Sequence, residues 1–210
     1  MPKYYPINLD LQNKKCLIIG GGKVAQRKVR RLLNCRACVE VISPEITPGL
    51  RFLAQKKKII IRKKHVDLKD IKRVYLVIAA SDDRKTNSSV SSYCRRKGIL
   101  VNVVDSPKEC NFILPAIAKR GDLMISISTG GISPALSKKI RQDLEKKFGM
   151  EYSRLLELVK KIRPEAIKKI KNINLRKAFF KKAFSPCVME LLKQNKVKEA
   201  RQKIECGFKR

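Results

Sequence analysis

The sequence predicts an α/β fold: a doubly wound parallel sheet, followed by a smaller strand-and-helix segment and a helical C-terminal part. Three observations predict it. Short runs rich in Val and Ile alternate with amphipathic stretches over about the first hundred residues, which is the pattern of repeated strand–helix units. A glycine-rich turn directly follows the first of these runs, and beyond Gly149 the apolar residues recur at helical spacing.

Five apolar runs predict the strands of the sheet. They are nearly continuous, as expected for parallel strands that are buried on both faces. The runs are Cys16–Ile19, Val39–Ile42, Ile59–Ile61, Val74–Ala79 and Ile99–Val104. The helices predicted between them are Val24–Leu33, Thr47–Lys57 and Asp83–Lys97. Within the second run, alternation along the strand predicts that Glu40 faces outward.

The pattern changes after Val104. Asp105-Ser106-Pro107 predicts a turn, Asn111–Pro115 a short extended piece, and the alternation in Leu123–Ser128 a half-buried strand. A helix is then predicted from Ser133 as N-cap and Pro134 as its first residue. The residues that recur on one face of this helix are Leu136, Ile140 and Leu144.

The C-terminal part is predicted to be a small helical appendage. A first apolar stripe stops before Pro164, and two further stripes follow it. The stripes are Leu155, Leu158, Val159 and Ile162; Ile167, Ile170 and Ile173; and Val188, Leu191 and Leu192.

The net charge indicates an anionic partner. Of the 210 residues, 50 are Lys or Arg and 18 are Asp or Glu, which gives a formal net charge of +32. The basic residues are spread along the chain without the localised patch or aromatic support that is usual in nucleic-acid-binding proteins, so we expect no nucleic-acid partner. A generally basic proteome would produce the same composition, and that alternative stays open.

The cysteines and the hydropathy favour a cytoplasmic protein without a metal site or a membrane span. The seven cysteines are scattered, and no secretory signal is recognisable. Cys35 and Cys38 have the spacing of half a zinc site, but no second pair follows. His65 lies in a charged stretch, which predicts a loop residue rather than a catalytic one. No apolar run approaches the ~20 residues of a membrane helix.

The segment from Gly20 to Ala25 reads Gly-Gly-Gly-Lys-Val-Ala, follows a strand and opens a helix. This is the context of a dinucleotide fingerprint, so it predicts a Rossmann-type domain. Gly20 allows a sharp turn, Gly22 lets the backbone approach a pyrophosphate, and the amides of the helix N-terminus face the phosphate charge. For the ribose, the candidates are Glu45 and the backbone around Ser43 and Pro44. No Arg directly follows the second strand, which favours NAD over NADP.

Six segments, in order over roughly the first 150 residues, resemble the precorrin-2 dehydrogenases, which occur alone or as the front half of sirohaem synthase. The segments are Tyr5-Pro6-Ile7 with Asp10-Leu11, Gly20-Gly21-Gly22 through Arg27-Lys28, Ala79-Ala80-Ser81-Asp82-Asp83 with Asn87, Val101-Asn102-Val103-Val104-Asp105, Asn111-Phe112-Ile113-Leu114-Pro115, and Ser128-Thr129-Gly130-Gly131-Ile132-Ser133-Pro134.

The resemblance implies NAD-dependent dehydrogenation of precorrin-2, a polycarboxylated tetrapyrrole, to sirohydrochlorin on the route to sirohaem. It implies that Asp105 is the catalytic residue, and removal of a hydride with a proton does call for a base beside the cofactor. The turn motif alone would equally allow Asp105 to be a cap. The resemblance implies cofactor contacts at Lys23, Val24, Pro44 and Glu45, in addition to those expected at Gly20, Gly21, Gly22 and Ser43. Substrate contacts are expected at Asn87, Asn102, Thr129, Gly130 and Ser133. For Asn87 and Asn102 an alternative stays open, because an asparagine at a strand end is commonly a backbone hydrogen-bond device.

The resemblance also implies a homodimer. We assign residues 1–113 to the NAD-binding Rossmann domain, 114–148 to a dimerisation segment and 149–210 to a C-terminal helical domain. The C-terminal 60 or so residues are too few to supply the methyltransferase half of sirohaem synthase. Two alternatives stay open: a bifunctional enzyme that also inserts iron into sirohydrochlorin, and a non-catalytic nucleotide or tetrapyrrole sensor or basic nucleic-acid-binding module.

Overall fold

The first unit of the chain is built on a parallel five-stranded sheet. A computed structural model describes residues 4–206, which fall into two compact units that divide between Leu114 and Pro115. The strands of the first unit are β1 (Lys15–Ile19), β2 (Cys38–Ile42), β3 (Ile59–Arg62), β4 (Leu76–Ala79) and β5 (Leu100–Val103). Their order in the sheet is β3-β2-β1-β4-β5. The chain thus adds β2 and β3 on one side of β1 and then returns to add β4 and β5 on the other side, as in a doubly wound fold. The five predicted strands are confirmed.

Three helices cover the two faces of this sheet. They are α1 (Lys23–Asn34), α2 (Pro48–Gln55) and α3 (Arg84–Arg96). The predicted helices are confirmed to within two residues at each end, because their capping residues are local signals: the side chains of Thr47 and Asp83 accept the backbone amides of Leu50 and Lys85.

Two apolar clusters pack on opposite faces of the sheet. Leu17 and Ile18, which are neighbours in β1, belong to different clusters because successive side chains of a strand point to opposite faces. Val29 of α1 and Leu50 of α2 complete one cluster, and Val90 of α3 completes the other. The strands are therefore buried on both sides, as their continuous apolar composition predicts.

The prediction that Glu40 in β2 faces outward was wrong. Its side chain is only 5% exposed. In a sheet that is covered on both faces, alternation does not separate buried from exposed positions. The carboxylate is neutralised by Lys15 at 3.0 Å and by Arg62 at 2.6 Å. Arg62 also lies 3.5 Å from Asp70, and Asp70 binds Lys64 at 2.7 Å. Five charged residues therefore form one continuous network: Lys15, Glu40, Arg62, Asp70 and Lys64.

The second unit begins with an antiparallel hairpin of β6 (Ala116–Arg120) and β7 (Leu123–Ile127). The alternation predicted for β7 is confirmed, but β6 was missed. The extended piece predicted at Asn111–Pro115 is irregular, and the strand starts just after it. Helix α4 (Pro134–Lys147) follows, with the Ser133 side chain accepting the Leu136 amide as predicted, although Leu136 itself is half exposed.

Four more helices complete the second unit: α5 (Met150–Lys169), α6 (Ile173–Ala183), α7 (Pro186–Lys193) and α8 (Val197–Glu205). The expectation that the first stripe stops before Pro164 was wrong, because α5 continues through it. An interior proline costs about 3 kcal/mol, and here Ile162 and Ala166 flank it and are both buried in the third apolar cluster, which offsets that cost. Ile167 and Ile173, predicted to face the core, are exposed.

Between residues 4 and 206, no helix is long and apolar enough to cross a membrane.

The charged network around Asp70 makes stability depend on pH. Burial alone would raise the pKa of the Asp70 carboxyl, but hydrogen bonds from Lys64 and from the Asp67 amide, with the charges of Lys64 and Arg62, hold that pKa below its usual value. A carboxyl whose pKa falls on folding stabilises the fold above its unfolded pKa, and this contribution disappears as the pH drops through the folded pKa. Because solvent screens these groups, we expect Asp70→Asn to cost about 1 kcal/mol or less at pH 7.

Thermal melting of wild type and Asp70→Asn between pH 7 and pH 3 measures this effect, and the two midpoints should converge at acid pH. Asp122→Asn is the control, because Asp122 is 69% exposed and its partner Lys160 is 3.8 Å away. A difference that persists unchanged at pH 3 would contradict the electrostatic explanation.

Candidate active site

Gly20 sits where three strands end at the carboxyl edge of the sheet. It follows β1, its amide donates to the carbonyl of Ile42 at the end of β2 (3.0 Å), and its φ is +107°. A Cβ at this position would collide with the backbone carbonyl of Ala80, directly after β4. Only glycine combines this φ with this close approach, so the predicted role of Gly20 in a sharp turn is confirmed.

The next two glycines differ in their surroundings. A Cβ on Gly21 would collide with the backbone carbonyl of Glu45, and the Gly21 carbonyl accepts the Thr47 amide at 3.0 Å. A Cβ on Gly22 would meet no atom within 4 Å. Gly22 is also the N-cap of α1 and provides no side chain to bond the first amides of that helix. The turn therefore presents an open helix N-terminus toward free space, which is the arrangement that holds a phosphate.

The loop after β2 packs against the glycine turn. Ser43 is buried, with its hydroxyl close to the position that a Gly21 Cβ would take, whereas Pro44 and Glu45 are exposed. The structure thus brings Gly20 through Val24 together with Ser43 through Glu45 at one edge of the sheet. Open space at Gly22, uncapped amides and an adjoining exposed loop fit a dinucleotide with its phosphates on α1 and its ribose beside β2.

Asp105 lies at the same edge, in the turn after β5. It is exposed, and its φ of +59° places a non-glycine residue in the left-handed region. The turn is tied to the sheet because the Val104 amide donates to the Ala79 carbonyl at 2.9 Å. The structure therefore places the proposed base on the side of the sheet where the glycine turn also lies, as expected for residues that follow parallel strands.

Lys28 of α1 is a charged neighbour of Asp105, although the sequence analysis named it only as the end of a segment and assigned it no role. It is half buried, and burial, followed by the charges of Arg31 and Arg27, lowers the pKa of its ammonium, while the charge of Asp105 opposes that shift. Lys28 and Asp105 therefore interact electrostatically although 77 positions separate them. Among many lysines spread along the chain, no local pattern distinguishes this one.

The side chains of Asn87 and Asn102 hydrogen-bond to the backbone of nearby loops. The Asn87 amide nitrogen donates to the Ser81 carbonyl at 2.8 Å, and its side-chain oxygen accepts the Ser81 amide at 3.3 Å. Asn102 donates to the Phe112 carbonyl at 3.2 Å. Both side chains are more than 90% buried. Their hydrogen bonds fix the loops after β4 and β5, and a ligand contact for either residue remains a prediction.

Thr129, Gly130 and Ser133 form a loop of the second unit, just before α4. The Thr129 hydroxyl accepts the Ser133 amide at 3.1 Å and bonds Ser137 at 3.1 Å, while Gly130 has a φ of +64°. These contacts explain the loop conformation, and the assignment of these residues to substrate remains a prediction.

The described residues contain no group of three or more His, Cys, Asp or Glu side chains that could hold a metal. Cys35 and Cys38 are exposed free thiols, and His65 is exposed in a loop as predicted.

The glycine turn yields a matched pair of variants. A Gly→Ala change at a compatible position stabilises a protein by about 0.4–1 kcal/mol. We expect Gly20→Ala instead to destabilise the first unit, and by more than that amount, because of the positive φ and the collision with Ala80. Gly22→Ala should fold normally, since the space there is open, yet bind a pyridine dinucleotide more weakly because its methyl group occupies the phosphate position.

Thermal melting and dinucleotide titration by calorimetry separate the two effects. Gly98→Ala is a control for a positive-φ glycine with open space around it, since it lies after α3 and away from the glycine turn. Undiminished affinity in a folded Gly22→Ala variant would rule out the phosphate position assigned here.

Comparisons with known proteins cover almost the whole chain. The family model described as putative NAD(P)-binding matches residues 7–116. The model described as the sirohaem biosynthesis protein central region matches residues 120–147, and the model described as the sirohaem synthase dimerisation region matches residues 151–206. The last match falls on helices α5–α8, whereas our sequence assignment put the dimer contacts in residues 114–148.

The chain is also similar to proteins described as siroheme synthases. The siroheme synthase of Ruthia magnifica subsp. Calyptogena magnifica is 36% identical over 96% of this chain and 43% of its own length. That of Nitrosococcus oceani is 35% identical over 98% of this chain and 44% of its own length. The chain thus spans less than half the length of these relatives.

A solved structure described as "SirC, precorrin-2 dehydrogenase" is 25% identical, with a TM-score of 0.81 over 96% of this chain and 99% of that one. The likeness extends through both units rather than being confined to the nucleotide-binding sheet. Since the first family model alone matches more than half of the residues, this chain belongs to the putative NAD(P)-binding family, in the form that the sirohaem synthases carry.

Proposed function

We propose that this protein dehydrogenates precorrin-2 to sirohydrochlorin with NAD in the biosynthesis of sirohaem. The observation that carries the proposal is the placement of the open glycine turn and the exposed Asp105 carboxylate at one edge of the sheet. The likeness to a precorrin-2 dehydrogenase supports the substrate, and the siroheme synthase relatives support the pathway.

The chain's own residues divide the work of binding and proton removal. The amides at the start of α1, from Gly22 through Val24, bind the diphosphate, and the loop from Ser43 to Glu45 holds the adenosine ribose. A nicotinamide held by these residues would supply the hydride acceptor for the reaction. Asp105 takes the proton that leaves with the hydride, and because its side chain is exposed it returns that proton to solvent.

The basic residues suit a polycarboxylated substrate. A net charge of +32 raises the encounter rate of an anion. Lys28 is half buried, and because the Asp105 charge partly offsets the lowering of its pKa, it is our candidate for a basic contact beside the proposed base. Thr129, Gly130 and Ser133 remain our candidates for further substrate contacts, together with Asn87 and Asn102.

We infer a cytoplasmic homodimer. The match of 151–206 to a dimerisation region supports the dimer, with α5–α8 as the contributing segment in addition to, or instead of, residues 114–148. Seven unpaired cysteines support a reducing compartment.

We favour NAD over NADP because two basic side chains beside the end of β2, those of Arg62 and Lys64, are already engaged. Arg62 pairs in register with Ile42, but its guanidinium binds Glu40 and Asp70, and Lys64 binds Asp70 as well. Glu45, exposed in the ribose loop, would repel a 2′-phosphate.

Titration with NAD⁺ and NADP⁺ tests this preference. We expect NAD⁺ to bind at least roughly tenfold more tightly, equivalent to about 1.4 kcal/mol, and Glu45→Gln to narrow the gap by strengthening NADP⁺ binding. Equal affinities in the wild type would refute the preference.

The reaction itself is tested by anaerobic turnover of precorrin-2 with NAD, following NADH and the sirohydrochlorin spectrum. Asp105→Asn is the informative variant, because asparagine also adopts the left-handed conformation and so preserves the turn while removing the base. We expect its turnover to fall about 10²–10⁴-fold with unchanged NAD affinity.

The proposal would be overturned if the folded wild-type protein bound NAD but left precorrin-2 unchanged. That result would favour the sensor alternative. Ferrous iron added to the same reaction tests for metal insertion as a second activity.

A further inference from the structure

The conformation of Asp105 requires support from its surroundings. A left-handed φ costs a non-glycine residue roughly 1–2 kcal/mol, although aspartate tolerates it better than most. Asp105 adopts φ +59° in a turn that leaves its side chain exposed. Contacts of the neighbouring backbone must therefore hold the turn, and through it the direction of the carboxylate.

One sulfur atom bonds the backbone on both sides of Asp105. The Val103 amide donates to the Sγ of Cys110 at 3.1 Å, and the thiol lies 3.3 Å from the Val103 carbonyl and 3.3 Å from the Ser106 carbonyl. The Asn102 side chain donates to the same sulfur at 3.5 Å. Cys110 therefore joins the end of β5 to the far side of the turn that carries Asp105.

The segment that carries Cys110 is itself anchored to the sheet and to α3. The Ser91 hydroxyl donates to the Glu109 carbonyl at 2.5 Å, and Arg95 donates to the Lys108 carbonyl at 3.2 Å. Asn111 accepts the Val101 amide at 2.7 Å and donates to the Ile99 carbonyl at 2.8 Å. The sulfur thus has a fixed position from which it constrains the turn.

The protonated thiol is the form that this arrangement uses. Burial raises the pKa of the Cys110 thiol, more than the Val103 hydrogen bond and the Lys28 charge lower it, so a donor hydrogen is present at neutral pH. With that hydrogen the sulfur donates to one carbonyl while it accepts the Val103 amide.

We propose that Cys110 is a positioning residue, which holds the left-handed turn so that the Asp105 carboxylate meets the proton it removes. This inference rests on the proposed function, because Asp105 acts as the base there. Among the residues that the structure describes, the partners of Cys110 are the backbone of Val103 and Ser106 and the side chain of Asn102 in β5, so Cys110 acts on Asp105 through the chain.

Three variants test the proposal in the full-length protein. Cys110→Ala removes both the donor and the acceptor, whereas Cys110→Ser restores a hydroxyl that can donate and accept. Cys94→Ala is the matched control: Cys94 is a fully buried thiol of the same unit, packed in the apolar cluster on α3. It reports what the loss of a buried sulfur does to stability alone.

We expect Cys110→Ala to lower kcat at least tenfold, since a displacement of about 1 Å at a reacting group can cost 10²-fold. The KM for NAD should stay unchanged, Cys110→Ser should recover most of the rate, and Cys94→Ala should keep its rate despite a lower melting temperature. Equal kcat values in Cys110→Ala and Cys94→Ala would overturn the proposal.

A readout that needs no turnover separates this inference from the proposed function. The NMR coupling between the amide and α protons of Asp105 reports its φ. It should change in Cys110→Ala and stay at the wild-type value in Cys110→Ser and Cys94→Ala. A coupling unchanged in Cys110→Ala refutes the positioning role, whereas a changed coupling in a protein that cannot oxidise precorrin-2 supports the role and refutes only the function.

Discussion

The close meeting of three backbone segments at Gly20 is the constraint on which the rest of the first unit depends. The register of β1 with β2 and with β4 brings Ile42 and Ala80 to the point where β1 ends. The chain can leave this point only through a residue without a side chain, in a conformation that L residues disfavour. The same exit leaves open space at Gly22, the N-cap of α1, so the packing of the sheet and the proposed phosphate position follow from one geometry.

Much of this unit could be predicted because its determinants are local. Continuous Val- and Ile-rich runs identify buried parallel strands, and capping residues such as Thr47 and Asp83 identify where helices begin. The strand ends then follow from topology, and with them the edge at which Gly20 and Asp105 lie. The candidate cofactor residues are close in sequence to two strand ends, which is why a motif and its spacing were enough to nominate them.

Other features depend on contacts between residues far apart in sequence and carry no local signal. Glu40 is buried because Lys15 and Arg62, from the two flanking strands, neutralise it. Pro164 does not end α5, because the tertiary packing of Ile162 and Ala166 outweighs the local penalty. Lys28, which is 77 positions from Asp105 in the sequence, comes under the influence of the Asp105 charge only through the fold. Sequence reasoning therefore nominated Asp105 as a candidate base but did not nominate Lys28, whose position depends on the fold.

The arrangement around Asp105 suits the role of catalytic base that we propose for it, which makes two demands on the residue. Its carboxylate must be exposed to meet a large substrate and to release a proton, yet its direction must be fixed. Direct hydrogen bonds to the carboxylate would fix it but would also occupy the oxygens that the reaction needs. Support through the backbone of Val103 and Ser106 avoids that conflict, because Cys110 bonds these two residues and leaves the Asp105 side chain exposed. A cysteine suits the position, since its sulfur bonds both Val103, before Asp105, and Ser106, after it. When protonated, the thiol also adds no charge beside Asp105.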